Sequence, residues 1–250
     1  MGSRSIRVRS ASILIVLLLA ACAGSQSGQL AEKPPGMAVA RAALVNGAPG
    51  MALQICTDVE KRHPRDAAAM VCESDALAAL VRRDEAAAAL ARARKLDPDA
   101  TDVLMAFGRL RLATDATAAE TLFRRVVARD PKNAPAWNDL GVASDLQGHH
   151  EEAQRDYGNA LGFQPGMRGA EVNLALSMAM SGQADEAVRR LNALATYSSA
   201  SPRLRQDLAA ALAMAHHPQE AAKLLQGDLT PRQIRQAVAG WQALPSAATP

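Results

Sequence analysis

Apolar and polar positions follow a pattern along this chain that returns every 33 or 34 residues. Alanine stands at Ala52, Ala86, Ala119, Ala153, Ala187 and Ala221, and four residues after each comes a larger side chain: Cys56, Leu90, Phe123, Tyr157, Leu191 and Leu225. Residues four apart share one face of an α-helix, so each pair marks the buried stripe of an otherwise polar helix. Eleven or twelve residues before each alanine sits a small residue, at Ala40, Ser74, Gly108, Gly141, Ala175 and Ala209. A small side chain there lets a preceding helix approach the stripe closely. Pro64, Pro98, Pro131 and Pro165 follow the first four stripes, where a missing N–H stops the helical hydrogen-bond ladder. The repeating unit is therefore a helical hairpin whose apolar face needs a neighbouring copy to cover it.

The pattern predicts an all-α chain of six hairpins, over about 33–66, 67–100, 101–133, 134–167, 168–201 and 202–229. Thr230 and Pro231 supply an N-cap and a first-turn proline. A further helix is thus expected over 230–244, capping the last hairpin as terminal repeats require, and residues 245–250 are expected to fray. Aromatic residues make up only 3% of the chain while alanine is abundant, which suits close-packed helices better than strands.

Trp137, Leu140, Gly141, Ala153, Tyr157, Ala160 and Pro165 give the fourth hairpin the signature of the tetratricopeptide repeat, which it resembles residue for residue except at Ser144, where tyrosine is usual. Other hairpins depart further: Glu73 takes a usually apolar position in the second, and Asp228 replaces a small core residue in the sixth. The resemblance implies an α-solenoid of about six helix pairs that binds protein partners, with no catalysis and no cofactor. It also implies a groove lined by the first helix of each pair. Carried over position by position, that groove takes Met105, Arg109 and Leu112 from the third unit and Asn138, Val142, Asp145 and Leu146 from the fourth. The fifth adds Val172, Leu176 and Met180, and the sixth Gln206, Ala210 and Met214. Any one of these residues has core packing as its alternative role. A surface so apolar and methionine-rich fits an amphipathic helix or an extended peptide with apolar anchors.

The N-terminus changes the setting. Arg4, Arg7 and Arg9 precede an apolar run from Ala11 to Leu19, too short to span a bilayer core of about 30 Å and patterned as a secretory signal. Leu19-Ala20-Ala21-Cys22 resembles the bacterial lipobox. That resemblance implies an acylated Cys22 and a membrane anchor, with Ala23 in place of aspartate favouring the periplasmic face of the outer membrane. Residues 23–35 then read as a tether with a root-mean-square span of roughly 20 Å. The chain carries 28 Lys and Arg against 25 Asp and Glu, and three of the cations lie in the signal. The mature chain is therefore neutral, which excludes nucleic acid as a partner.

Cys56 and Cys72 each lie eight residues from Pro64, so in an antiparallel helix pair they face each other across the turn. In an oxidising periplasm they form either a disulfide or two buried thiols. His149-His150-Glu151-Glu152 and His216-His217 offer the only concentration of potential metal or proton-transfer groups. Both pairs fall in the turn inside a hairpin, and adjacent histidines diverge on a helix where ligands four apart converge. The expected role is a turn followed by acids at a positive helix end, with no metal. Finally, "WNDLGVASDLQGHHEEAQRDY", "VNLALSMAMSGQADEAVRRL" and "RLRQDLAAALAMA" together resemble the tight-adherence (Flp) pilus assembly lipoproteins. That likeness implies a role in assembling or localising a secretin. An adaptor for peptidoglycan enzymes or a polysaccharide exporter is the alternative.

Overall fold

The computed structural model describes residues 36–196 and 201–244. The signal segment, Cys22, the tether and the tail from 245 lie outside them. The described residues form thirteen α-helices and no strand. These are α1 (Met37–Val45), α2 (Pro49–Arg62), α3 (Ala67–Ala79), α4 (Arg83–Leu96), α5 (Thr101–Leu112), α6 (Ala116–Arg129) and α7 (Ala134–Leu146). The others are α8 (His150–Phe163), α9 (Arg168–Met180), α10 (Ala184–Thr196), α11 (Pro202–Met214), α12 (Pro218–Leu224) and α13 (Pro231–Gln242).

Local chemistry fixes where helices begin and end. α2, α4, α6 and α8 stop two residues before Pro64, Pro98, Pro131 and Pro165. Proline instead opens α2, α11, α12 and α13, where its missing N–H has no intrahelical partner to lose. Asp66, Asp115 and Ser201 accept backbone N–H groups at the starts of α3, α6 and α11, and Thr230 forms a reciprocal capping box with Gln233 on α13.

The turn inside five hairpins is one repeated motif. Gly47, Val81, Gly148, Gly182 and His216 all have positive φ, between 63° and 89°. The next residue's amide donates to the carbonyl five residues back: Ala48 to Ala43, Arg82 to Leu77, His149 to Ser144, Gln183 to Met178 and His217 to Leu212, at 2.8–3.0 Å. This is the left-handed stop that satisfies orphan carbonyls at a helix end.

The described residues fall into two compact units divided within α7, at Leu140 and Gly141. In the first, α1 to α4 pack in sequence, α5 packs on α6, and the first helices lie side by side, α1 on α3 and α3 on α5. Its apolar interior is made of small clusters, such as Met37, Ala40, Cys56, Val59, Ala69 and Cys72. Cys56 and Cys72 are joined by a disulfide with Cα atoms 5.8 Å apart. Closing a loop of that length stabilises a fold by about 3 kcal/mol in the chain-entropy account. Gly108 faces Phe123 so closely that a Cβ there would overlap the ring.

The second unit has one larger core, in which Leu176, Leu191, Leu204, Leu208, Leu212 and Leu225 are buried. α13 packs on α11 and α12 and inserts Ile234, Val238 and Trp241 into it. A Cβ at Gly141 would lie 2.6 Å from the Tyr157 ring. Across both units the six alanines of the repeat and their six larger partners are all buried. The two charged departures are matched by cations. Arg92 of α4 pairs with both Glu73 and Glu60, and Arg205 holds Asp228 by two contacts of 2.7 Å.

Candidate functional site

The histidine-rich turn is built as a helix start. Gly148 takes the left-handed conformation, His149 is the exposed N-cap of α8, and Glu151 and Glu152 lie in the first turn, where the helix dipole favours acids. His150 folds back, its Nδ1 2.8 Å from Oδ1 of Asp145. Tyr157 donates to Oδ2 of the same carboxylate at 2.8 Å, and Ser177 donates to Oδ1 at 2.7 Å. Burial pushes the Asp145 carboxyl above its ordinary range, while the three hydrogen bonds oppose that shift. Ser177 bonds the acid rather than the imidazole, so the set ties α7, α8 and α9 together and does not prime a nucleophile. His216 and His217 occupy the equivalent turn before α12. Among the described residues no group of three or more His, Cys, Asp and Glu is arranged to hold a metal ion.

Most of the side chains that the resemblance assigns to the groove are enclosed, the alternative role held open for each. Asp145 belongs to the network just described, with its side chain fully enclosed. Asn138 and Val142 are 1% and 0% exposed, and Asn138 donates to Asp139 at 3.2 Å. Leu112 is equally enclosed, and Met105, Val172, Leu176 and Met180 are buried as well. Val172, Leu176 and Ala210 are part of the second unit's core. The physical reason is the run of alanine and glycine along the repeat: thin helices sit close, and large side chains at their margins are covered. Arg109, Leu146, Gln206 and Met214 remain partly accessible.

The more informative surface lies in the first unit, one residue past the small position of each first helix. There stand Arg41 on α1, Asp75 on α3 and Arg109 on α5. Arg41 meets Asp102 of α5 at 3.6 Å, although α3 lies between those helices. On a flat layer, two steps between helix axes would amount to about 16–20 Å, too far for one arginine to close comfortably. The bridge therefore requires the face to curve inward, with Asp75 at its middle. Arg109 in turn binds Asp139 of α7 at 2.6 Å, and the Asp139 side chain is 1% exposed. Asp75 is exposed to solvent, and the protein packed around it raises its carboxyl to about 6 against the pull of Arg109 and Arg41. Arg41 and Asp75 were legible as the counterparts of Arg109, at steps of 34 residues.

Residues 122–155 match the family model of the tetratricopeptide repeat. No curated protein matches the chain. Among solved structures it is similar to PilW, a widely conserved type IV pilus biogenesis factor, at 19% identity and a TM-score of 0.63, over 82% of this chain and 96% of that one. A thermophilic tetratricopeptide-repeat protein of Thermus thermophilus shows 22% identity and a TM-score of 0.59, over 72% of this chain and 100% of that one. The Cut9–Hcn1 heterotetramer of the APC/C contains a chain with 15% identity and a TM-score of 0.68, matching 92% of this chain but 46% of its own length. At such identities the likeness is one of fold. The chain is an all-α protein of helix pairs in the tetratricopeptide style, carrying a repeat of that family at residues 122–155.

Proposed function

We propose that this protein is a non-enzymatic, lipid-anchored scaffold of the bacterial envelope that holds a partner protein against the first helices of its hairpins. The observation that carries the reading is the inward-curving face of α1, α3 and α5, where the Arg41–Asp102 bridge arches over α3. Such a face offers a partner charged and polar groups on a rigid frame. The partner we assign is a component of a tight-adherence pilus machine, with its secretin first in line. Two things support this: the sequence resemblance to pilus assembly lipoproteins of the TadD type, and a fold shared with a type IV pilus biogenesis factor over nearly all of that protein's length. In this scheme acylated Cys22 supplies the address and the helix pairs hold the client near the membrane.

Labelled palmitate and a secretin blot test the reading together. The wild-type protein should take up the label, Cys22→Ser should not, and cells carrying that variant should lose heat-stable secretin multimers. Normal multimers in the unlabelled variant would remove the anchor from the scheme. Normal multimers in a strain lacking the protein altogether would remove the secretin.

A further inference from the structure

The Cys56–Cys72 disulfide crosses from one repeat to the next. Cys56 is on α2, the second helix of the first hairpin, and Cys72 on α3, the first helix of the second. In the later hairpins the position of Cys56 holds leucine, phenylalanine or tyrosine, so the first hairpin lacks the large side chain that seats the others. What it buries against α3 is otherwise small. Met37, Ala40 and Val59 share a cluster with Ala69, and Ala43 and Ala52 share one with Ala76. Its opposite flank is open, with Val39 and Met51 56% and 58% exposed. Arg41–Asp102 at 3.6 Å and Arg92–Glu60 at 2.6 Å also join it to later helices, but the two arginines are 37% and 49% exposed, and such pairs add little in water. Nor does α1 hold itself, since nine residues without a side-chain cap are too few for a helix alone. In contrast, α3 keeps a second set of neighbours. Met70 and Val71 pack with Leu90, Ala93 and Val103, Leu77 packs with Ala86 and Ala89, and Ser74 donates to the Ala86 carbonyl at 2.8 Å.

We propose that the disulfide is a redox clamp on the first hairpin. With the bond formed, α1 and α2 stay seated on α3; once a dithiol has reduced it, they open about a hundredfold more often while the later helices stay folded. The reduction moves two electrons. One dithiol sulfur attacks Cys56 or Cys72, the bond between them breaks to give a mixed disulfide and one thiolate, and the second dithiol sulfur then displaces the other cysteine. The dithiol leaves as a disulfide, and its two protons stay on Cys56 and Cys72. These cysteines are 0% and 4% exposed, so attack waits for the hairpin to open, and the closed form protects its own bond. An oxidising compartment therefore completes the first hairpin and a reducing one loosens it. The Arg41–Asp102 bridge over α3 is lost each time the hairpin opens. The inference goes beyond the scaffold reading and does not depend on it.

Hydrogen exchange of the full chain, read by mass spectrometry with and without dithiothreitol, tests the clamp, with alkylation counting the thiols released. Peptides from α1 and α2 should exchange about a hundredfold faster in the reduced protein, the effect of losing a cross-link over a loop of this length. Those from α5 to α13 should keep their rates. The paired variant Cys56→Ala, Cys72→Ala should show the fast pattern without reductant and no further change with it, and it supplies the unbridged chain even where dithiothreitol leaves the native bond intact. Val59→Ala, which thins the same cluster, should speed reduction of the bond, because opening comes first. Unchanged exchange of α1 and α2 in the unbridged chain, reduced or doubly substituted, overturns the clamp. Equal acceleration across α5 to α13 also overturns it, by making the bond a support of the whole fold. Either outcome leaves the scaffold reading standing.

Discussion

Asp207 on α11 gains stability from losing its charge. It is 3% exposed, and burial raises its carboxyl to about 6 even though Arg203 lies 3.3 Å away. The folded state therefore holds this proton more tightly than the unfolded chain, whose carboxyl titrates near 3.8. Stability contributed at this site falls as pH rises from about 4 to about 6. Asp207→Asn should raise the unfolding free energy read from urea melts near neutral pH by about 1–3 kcal/mol and do nothing near pH 4; a lower value at neutral pH contradicts the assignment. Asp145 makes the opposite case. Asp145→Ala removes the buried carboxylate that the Tyr157 and Ser177 hydroxyls and the His150 imidazole share and should cost about 3 kcal/mol. Leu146→Ala, one residue on and only partly buried, should cost under about 1.5 kcal/mol. Denaturant melts of the two variants would show the gap, and equal losses would contradict the network. The family resemblance placed both residues on one groove. It could not say that a tyrosine and a serine from two other helices would turn one of them inward.

At the level of the helix pair, the turn motif was more legible than the faces. In five of the hairpins it needs one left-handed residue, and glycine meets that need at Gly47, Gly148 and Gly182 without a Cβ in the way. Val81 meets it with a β-branched side chain at φ 64°, a conformation that costs an L-residue about 1–2 kcal/mol. Val81 is also 72% exposed, so its side chain returns little by packing. Val81→Gly should raise stability by about 1 kcal/mol, read as a higher melting temperature with helical content unchanged; a drop would mean the valine makes a contact that outweighs its strain. The small-residue column was equally readable, because Gly108 and Gly141 sit where Phe123 and Tyr157 leave no room for a Cβ. Groove positions were not readable in the same way. Their exposure depends on how near the next first helix comes, which the alanine content sets collectively and no single residue announces.

At the scale of the molecule, the sequence repeat predicted an all-α chain of helix pairs closed by a final helix, and the described residues have that architecture with α13 on α11 and α12. What the groove assignment missed was the charge on the first unit's first-helix face, since it began at the third hairpin and passed over Arg41 and Asp75. The central claim is that partners are held by first helices and not by second ones. In-cell photocrosslinking tests it most directly, with p-benzoylphenylalanine placed at Arg41, Arg109 and Gln206 on α1, α5 and α11 and at the exposed Ala88 and Arg155 on α4 and α8. The account predicts adducts to the pilus secretin from the first three positions and none from the last two. Adducts from Ala88 and Arg155 alone, or to the same extent as from the others, would contradict it.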